Sequence, residues 1–321
     1  MKTGAMLAGA CVTGVMLAGG SVLAADAAKT YSLWDGKETQ AEYAKRAGIK
    51  DVELTLDLGN KVELKLILIP AGNFLMGNPV EERAMTEKEF PQHQVTISKP
   101  FYLAIYETTQ AQYEQVTGKN GNFKKNEKMD VQTAWEIATG SGKEYQKDPD
   151  MPVDNIDYAE AIAFCEALGK KIGRKATLVT EAQWEYAYRA GTTTRFYWGD
   201  DSAKNVVSQY AWFGDQKSGP MRVGQKKPNR WGLYDMAGNS SDICLDDYRV
   251  YTPEPVTDPV GRGIGALRGG YFGNETPWLT AYHRKGVGDP HYKMDVIGKW
   301  KGRFNAGSPR VLLPVEPDAA K

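Results

Sequence analysis

Four oxygen-bearing side chains crowd into a short stretch of this chain, Asn239, Asp242, Asp246 and Asp247. Amides and carboxylates at that density suit calcium, which takes six to eight hard oxygen ligands. The alternative is a solvated acidic turn in which Asn239 holds the backbone. The three histidines, His93, His283 and His291, are too few and too scattered for a histidine-built zinc or iron site. His283 is the sharpest acid–base candidate, because an imidazole titrates near neutrality, although a buried structural histidine is the commoner outcome. Gly261, Gly263 and Gly265 suggest a phosphate-cradling loop, but Arg268 stands where a third motif glycine belongs and no strand-to-helix context follows. Loop flexibility is the better account of these glycines. Tyr271, Phe272, Trp278, Tyr282 and Trp300 can either stack on a sugar or peptide or fill a core.

Legible elements must position these residues. Thr109 with Gln112 is a capping box closed by Gly118, and Asp157 with Glu160 opens a second helix. In that helix Ala161, Phe164, Cys165 and Leu168 form one apolar face before Gly169. Thr180 with Gln183 opens a third, which buries Trp184, Ala187 and Tyr188 and ends at Gly191. The alternation in Val62–Leu66 running into Ile67–Ile69 predicts a strand, turned by Pro70–Gly72 into a second over Asn73–Gly77. Further strands are expected over Gln94–Ser98 and Phe101–Tyr106. Beyond about residue 191 the sequence breaks into short pieces of Gly, Pro, Asn and Trp.

The chain has 321 residues, with 40 Lys and Arg against 40 Asp and Glu. A zero net charge argues against a nucleic-acid partner, which needs surplus cations to displace counterions. The basic runs Lys170–Lys171 with Arg174–Lys175, and Lys226–Lys227 with Arg230, are read as solvated faces. At 41% hydrophobic residues the chain can build a core. Residues 1–25 read as an export signal: Lys2, an uncharged run from Ala5 to Leu23, then small residues before Asp26. Its Gly and Ala content and its small-residue ending favour cleavage over a membrane anchor, and Cys11 lies too close to the start for a lipid-modified cysteine. A periplasmic or secreted protein with no stable membrane anchor is expected. Cleavage leaves Cys165 and Cys244, either one disulfide or two buried apolar groups.

Read together, these pieces resemble one family. Leu68-Ile69-Pro70-Ala71-Gly72-Asn73-Phe74-Leu75-Met76-Gly77 is similar to the opening motif of the formylglycine-generating enzyme, or sulfatase-modifying factor, family. The resemblance continues through Pro91, His93 and Val95, Pro100-Phe101-Tyr102, Glu107-Thr108-Thr109-Gln110 and Met151-Pro152-Val153. It then runs through Ala161–Cys165, Leu178–Ala187, Arg189–Thr192, Trp198-Gly199-Asp200, Asn229–Asn239 and Arg268-Gly269-Gly270. It implies an irregular, loop-rich α/β fold related to C-type lectins: a single domain over 60–315, preceded by a lead-in at 26–59 and followed by a tail at 316–321.

The resemblance also implies chemistry, which must be matched residue by residue. Catalytic members place two cysteines five residues apart after the Gly-Gly motif, where thiolates bind copper(I) and handle a substrate cysteine. Here those positions hold Asn274 and Leu279, so copper and the formylglycine-generating reaction are not expected. The family's Gly-Asn-Val-Trp-Glu-Trp becomes Gly238-Asn239-Ser240-Ser241-Asp242-Ile243, and Gly-Gly-Ser-Trp becomes Gly269-Gly270-Tyr271-Phe272. The closing Gly-Phe-Arg survives only as Ser308-Pro309-Arg310, after a divergent stretch with His291, Tyr292, Trp300 and Arg303. A calcium site at Asn239 and Asp242 is implied by the family's own calcium site. The expected function is an exported binding or accessory protein whose groove, lined by Tyr271, Phe272, Asn274 and Trp278, takes a peptide, glycan or small molecule. The alternative is a diverged enzyme, as in siderophore maturation, using Asn274, His283 and Arg284.

Overall fold

The computed structural model describes residues 30–79, 87–119, 147–154, 156–214, 219–247, 250–261, 265–286 and 307–316, without the side chain of residue 247. The export signal over 1–25, Gly263, and the stretch holding His291, Tyr292, Trp300 and Arg303 lie outside the described residues.

Helix α1 (Gln40–Ala47) starts at a Thr39–Glu42 capping box and stops at Gly48 in the left-handed region. It is followed by β1 (Glu53–Asp57) and β2 (Glu63–Ile69), which pair antiparallel over five positions. β2 alternates exposed and buried residues, then becomes wholly buried from Ile67 on, as its apolar run predicts. With β5 (Phe101–Ala104), β6 (Thr177–Leu178) and β12 (Val311–Pro314) it forms a five-stranded sheet in the order β1-β2-β5-β12-β6. β3 (Gly72–Met76), β4 (His93–Ile97) and β8 (Val256–Thr257) make a second sheet. A third runs β10-β9-β7-β11, from β7 (Asp242–Asp247), β9 (Gly265–Arg268), β10 (Lys285–Gly286) and β11 (Ser308–Pro309).

The three predicted capping boxes form as hydrogen-bonded pairs at the starts of α2 (Gln110–Thr117), α3 (Tyr158–Ile172) and α4 (Glu181–Arg189). A short α5 covers Lys204–Val207. α3 does not stop at Gly169 but runs to Gly173. Gly169 lies inside it because the exiting chain passes close: a Cβ there would meet the Arg174 carbonyl at 2.9 Å. Gly265 has a similar role. Its Cβ would strike the Cys244 carbonyl at 2.0 Å, so strand packing rather than loop flexibility requires this glycine. Cys165 and Cys244 are both free thiols and buried, with burial pushing Cys165 up to about 12.

The lead-in shares the core of the rest. Tyr43 of α1 is fully buried and its hydroxyl accepts from the Ala71 amide. Upstream, the Trp34 amide donates to the Ala71 carbonyl at 2.6 Å, and its ring meets Trp231 edge-on at 5.2 Å. Arg230, read as part of a solvated basic face, instead lies 5.5 Å over Trp34 and donates to the carbonyls of Gly36 and Lys37. Trp34→Ala is therefore expected to lower the unfolding free energy by about 2 kcal/mol, less than a fully buried tryptophan because Trp34 is half-buried. Denaturant melts measure it, and an unchanged midpoint would show the lead-in to be loosely attached.

Candidate functional site

One face of α4 carries charge into the core. Glu185 accepts from Arg189, one turn later, at 2.8 and 3.0 Å, from Arg268, and from the Gly77 amide at 2.9 Å. Glu181 accepts from Arg284 Nε at 2.8 Å and from its Nη2, with Arg268 Nε at 3.5 Å. All five side chains are buried. Burial raises both carboxyls, but at Glu185 the guanidinia of Arg189 and Arg268 outweigh it and hold the group below its ordinary range. At Glu181 burial prevails over Arg284 and Arg268. The guanidinia also lie over rings, Arg268 at 4.9 Å from Trp184 and Arg284 at 4.1 Å from Tyr251.

A second buried cluster surrounds Arg310. It donates to Asp242 Oδ2 at 2.9 Å and to the carbonyls of Ala104, Ile105, Tyr234 and Asp235. Trp184 Nε1 donates to the same Asp242 oxygen at 2.7 Å. Beside it, Glu107 accepts from Asn239 Nδ2 at 2.6 Å and from the Ser240 amide at 2.8 Å. Asp235 accepts from the Gly224 amide at 2.6 Å. Burial, then repulsion from Asp235 and Asp242, raises Glu107 well above the usual carboxylate range. Burial raises Asp235 to about 6, against the Gly224 hydrogen bond and Arg310.

Asn239 and Asp242, the side chains expected to hold calcium, already have protein partners. Asp242 Oδ1 and the nearby Asp235 Oδ1, however, are buried without a hydrogen bond among the described residues. The Asn239 side chain is spent on both sides, donating to Glu107 and accepting from the Met221 amide at 2.8 Å. One Asp242 oxygen already serves a guanidinium and an indole, so an ion there would face a buried cation. Asp246 accepts from the amides of Glu181 and Gly261. Among the described residues, no group of three His, Cys, Asp or Glu side chains is arranged to hold a metal. The acidic stretch is a buried structural tie rather than a solvated turn.

The loop from Gly269 to His283 carries the residues expected to form a groove. It doubles back: a Cβ on Gly270 would lie 2.9 Å from the Trp278 carbonyl and 3.1 Å from Asn274 Oδ1. Tyr271 is exposed (37%) and Trp278 is half-buried. Phe272 and Asn274 are buried instead, because each is used within the loop. The Phe272 amide bonds the Asn239 carbonyl, and Asn274 Oδ1 accepts from the Tyr271 amide at 2.9 Å. Leu279, expected to stand at the second cysteine position, is wholly buried at the end of a 3-10 turn (Thr276–Leu279), and its carbonyl accepts from Tyr188 at 2.6 Å. Arg284 is the buried partner of Glu181, so it does not serve as a ligand-facing cation. His283 is buried, its Nδ1 3.0 Å from Glu89 and its ring 4.8 Å from Trp278.

Glu89, Glu107, Glu181, Glu185, Asp235 and Arg310 were missed as a set. Only Glu185 and Arg189 carried a sequence signal, their spacing of four on one helix. The other partners come from distant parts of the chain.

Residues 58–298 match the family described as sulfatase-modifying factor enzyme 1-like domain. The chain is 27% identical over 246 residues to the formylglycine-generating enzyme of Bos taurus, covering 64% of this chain and 64% of that enzyme, just under two thirds of its length. It is 24% identical over 300 residues to the inactive C-alpha-formylglycine-generating enzyme 2 of Mus musculus, covering 79% of this chain and 90% of that protein. The structure of PvdO from Pseudomonas aeruginosa superposes with a TM-score of 0.63 at 22% identity, over 83% of this chain and 99% of that one, which establishes the fold.

The Arg310 cluster makes stability depend on pH. Asp235 rises from 3.8 to about 6 in the fold, so the fold favours its protonated form. Its contribution is fully present below pH 4 and is lost as pH rises through 6, amounting to about 3 kcal/mol. Asp235→Asn keeps an acceptor for the Gly224 amide and tolerates the left-handed backbone at this position (φ 53°). The variant is expected to gain stability over wild type at pH 8 but not at pH 4. Parallel unfolding curves across that range would show Asp235 to be ordinary.

Proposed function

This chain belongs to the family of sulfatase-modifying factor enzyme 1-like domains, and we propose that it is an exported ligand-binding or accessory protein without the copper oxidase activity of that family's formylglycine-generating enzymes. The observation that carries this reading is the fate of the two thiolate positions. Asn274 closes the turn at Tyr271, and Leu279 is wholly buried in the apolar core. Copper(I) needs soft thiolate donors at both places, and neither an amide nor an aliphatic side chain supplies one. The thiols of Cys165 and Cys244 cannot substitute, because both are buried and raised by desolvation, the opposite of a reactive cysteine.

The ligand surface in this reading is the same loop, on which Tyr271 is exposed and Trp278 half-buried. Its support is the exposed aromatic ring on a rigidly tied backbone, the arrangement in which side chains contribute most to recognition. Similarity along 90% of an inactive mouse relative is consistent with retention of the fold after loss of the oxidase. The reading of residues 1–25 as an export signal supports a periplasmic or secreted location.

Two experiments test the proposal. Titration of the purified protein with copper(I) is expected to show no high-affinity site, and a cysteine peptide bearing the sulfatase motif should yield no aldehyde. Formylglycine in that peptide would overturn the assignment. Separately, Tyr271→Ala and Trp278→Ala should leave the melting curve nearly unchanged. A drop of many degrees in either would make the ring a core residue, since truncating a buried aromatic costs about 3–5 kcal/mol.

A further inference from the structure

We propose that a cleft at the start of α4, between the ends of β4 and β8, binds a free α-amino acid with an aliphatic side chain, held at both of its charges. The site shares no residue with the Tyr271–Trp278 loop and does not rest on the ligand surface assigned there.

Three parts of the chain build the cleft, whose volume is about 240 Å³. Ile97 and Lys99 come from the end of β4, Thr180 and Gln183 from the start of α4, and Asp258–Val260 from the segment after β8. Ile97 and Thr180 are buried, whereas Lys99, Asp258 and Val260 (60%) are exposed and form its open side. Ser98 ties two of these parts together. Its amide donates to Asp258 Oδ1 at 2.8 Å and its hydroxyl to Oδ2. On the third part, the Thr180 amide donates to Gln183 Oε1 at 3.0 Å within the capping box.

The class of ligand follows from the groups these bonds leave over. Lys99 has no hydrogen bond or ion pair among the described residues, and Asp258 does not neutralise it although both line the cleft. Gln183 Nε2 has no acceptor among the described residues either. A carboxylate carries about four lone-pair sites, so Asp258, with Ser98 on two of them, can still accept. One cleft therefore holds an unpaired cation, an amide donor, an anion with spare acceptor capacity and the apolar surfaces of Ile97, Pro259 and Val260. A zwitterion complements that set. Its carboxylate meets Lys99 and Gln183, its ammonium meets Asp258, and an aliphatic side chain covers Ile97 and Val260. A plain anion would lie against Asp258, and a plain cation against Lys99. Size narrows the choice further. The cleft is smaller than the about 300–1,000 Å³ of a drug-sized site. At about 30 Å³ per non-hydrogen atom, the share of one water in the liquid, it takes about eight, which is the size of valine.

Equilibrium dialysis of the whole chain against radiolabelled L-valine tests the proposal, with unlabelled N-acetyl-L-valine and L-valinamide as competitors that each lack one charge. L-valine should bind saturably, and each blocked analogue should compete at least tenfold more weakly than unlabelled L-valine. Lys99→Met keeps the aliphatic stem without the ammonium. Asp258→Asn keeps an acceptor for the Ser98 amide and tolerates the left-handed backbone there (φ 44°). Each variant should weaken L-valine binding at least tenfold with a melting curve close to wild type. Should Asp258→Asn fail to fold, Lys99→Met, at an exposed position, still decides. An absence of saturable L-valine binding overturns the proposal. Equal competition by N-acetyl-L-valine would make the cleft an anion site, and equal competition by L-valinamide a cation site; either overturns it. Binding unchanged in both variants would put the amino acid elsewhere and overturn it too. None of these failures touches the reading of the Tyr271–Trp278 loop, which the copper and aldehyde measurements decide.

Discussion

The groove loop is pinned at both ends by one helix. Arg268 immediately precedes it and Arg284 immediately follows it, and both guanidinia face the two carboxylates of α4, Glu181 and Glu185. A chain with so many irregular segments cannot fix a loop by sheet pairing alone, because too few of its residues lie in ladders. Guanidinium serves instead: it carries five donors in a plane and meets two carboxylates or several carbonyls at once. The burial of so much charge is costly, so removing one partner would leave the others as uncompensated charges in a dry interior.

Arg310 repeats the device on the other side of the core. Its single side chain reaches β5, the Tyr234–Asp235 segment and Asp242 on β7, drawing the C-terminal strand into the molecule. Here the carboxylates outnumber the cation, since Glu107, Asp235 and Asp242 share it. Asp235 and Glu107 are raised where Glu185 is lowered, and burial is common to all three. At Glu185 the guanidinia of Arg189 and Arg268 together with the Gly77 amide outweigh it, whereas at Glu181 burial and the nearby Asp246 prevail over two guanidinia. The cluster also touches the groove, because Glu107 bonds Asn239 and the Asn239 carbonyl receives the Phe272 amide.

Local signals were legible in the sequence. The three capping boxes, the successive strands β2 and β3 and the apolar face of α3 are read from short stretches of neighbouring residues, and each forms. The error at Gly169 was also local in origin, since glycine marks a helix end or a close approach with the same letter. The candidate site was less legible. Tyr271 reaches the surface as expected, but Phe272 and Asn274 turn inward because their partners, Asn239 and the Tyr271 amide, exist only once the loop folds back. Asp242 stands in an acidic run, which in the sequence reads as an oxygen-ligand cluster. The guanidinium bonded to its Oδ2, Arg310, is 68 positions away, and Glu89 is 194 positions from His283. No periodicity encodes such pairs; they depend on the tertiary path.

The separation between frame and loop explains how the chemistry can change while the fold persists. The ties that hold the loop, Arg268, Arg284 and their carboxylates, lie outside the interval that held the family's thiolates. Within that interval each replacement is satisfied on its own terms. Asn274 turns its carbonyl oxygen back on the Tyr271 amide, stabilising a turn a cysteine would leave without that acceptor. Leu279 adds apolar volume to the core while its backbone carbonyl takes the Tyr188 hydroxyl, a bond that asks nothing of the side chain. Neither exchange strands a buried polar group, which is the usual cost of altering an interior site. A loop held from outside can therefore carry a turn-former and a core residue at these two positions and still present Tyr271 to solvent on the same backbone.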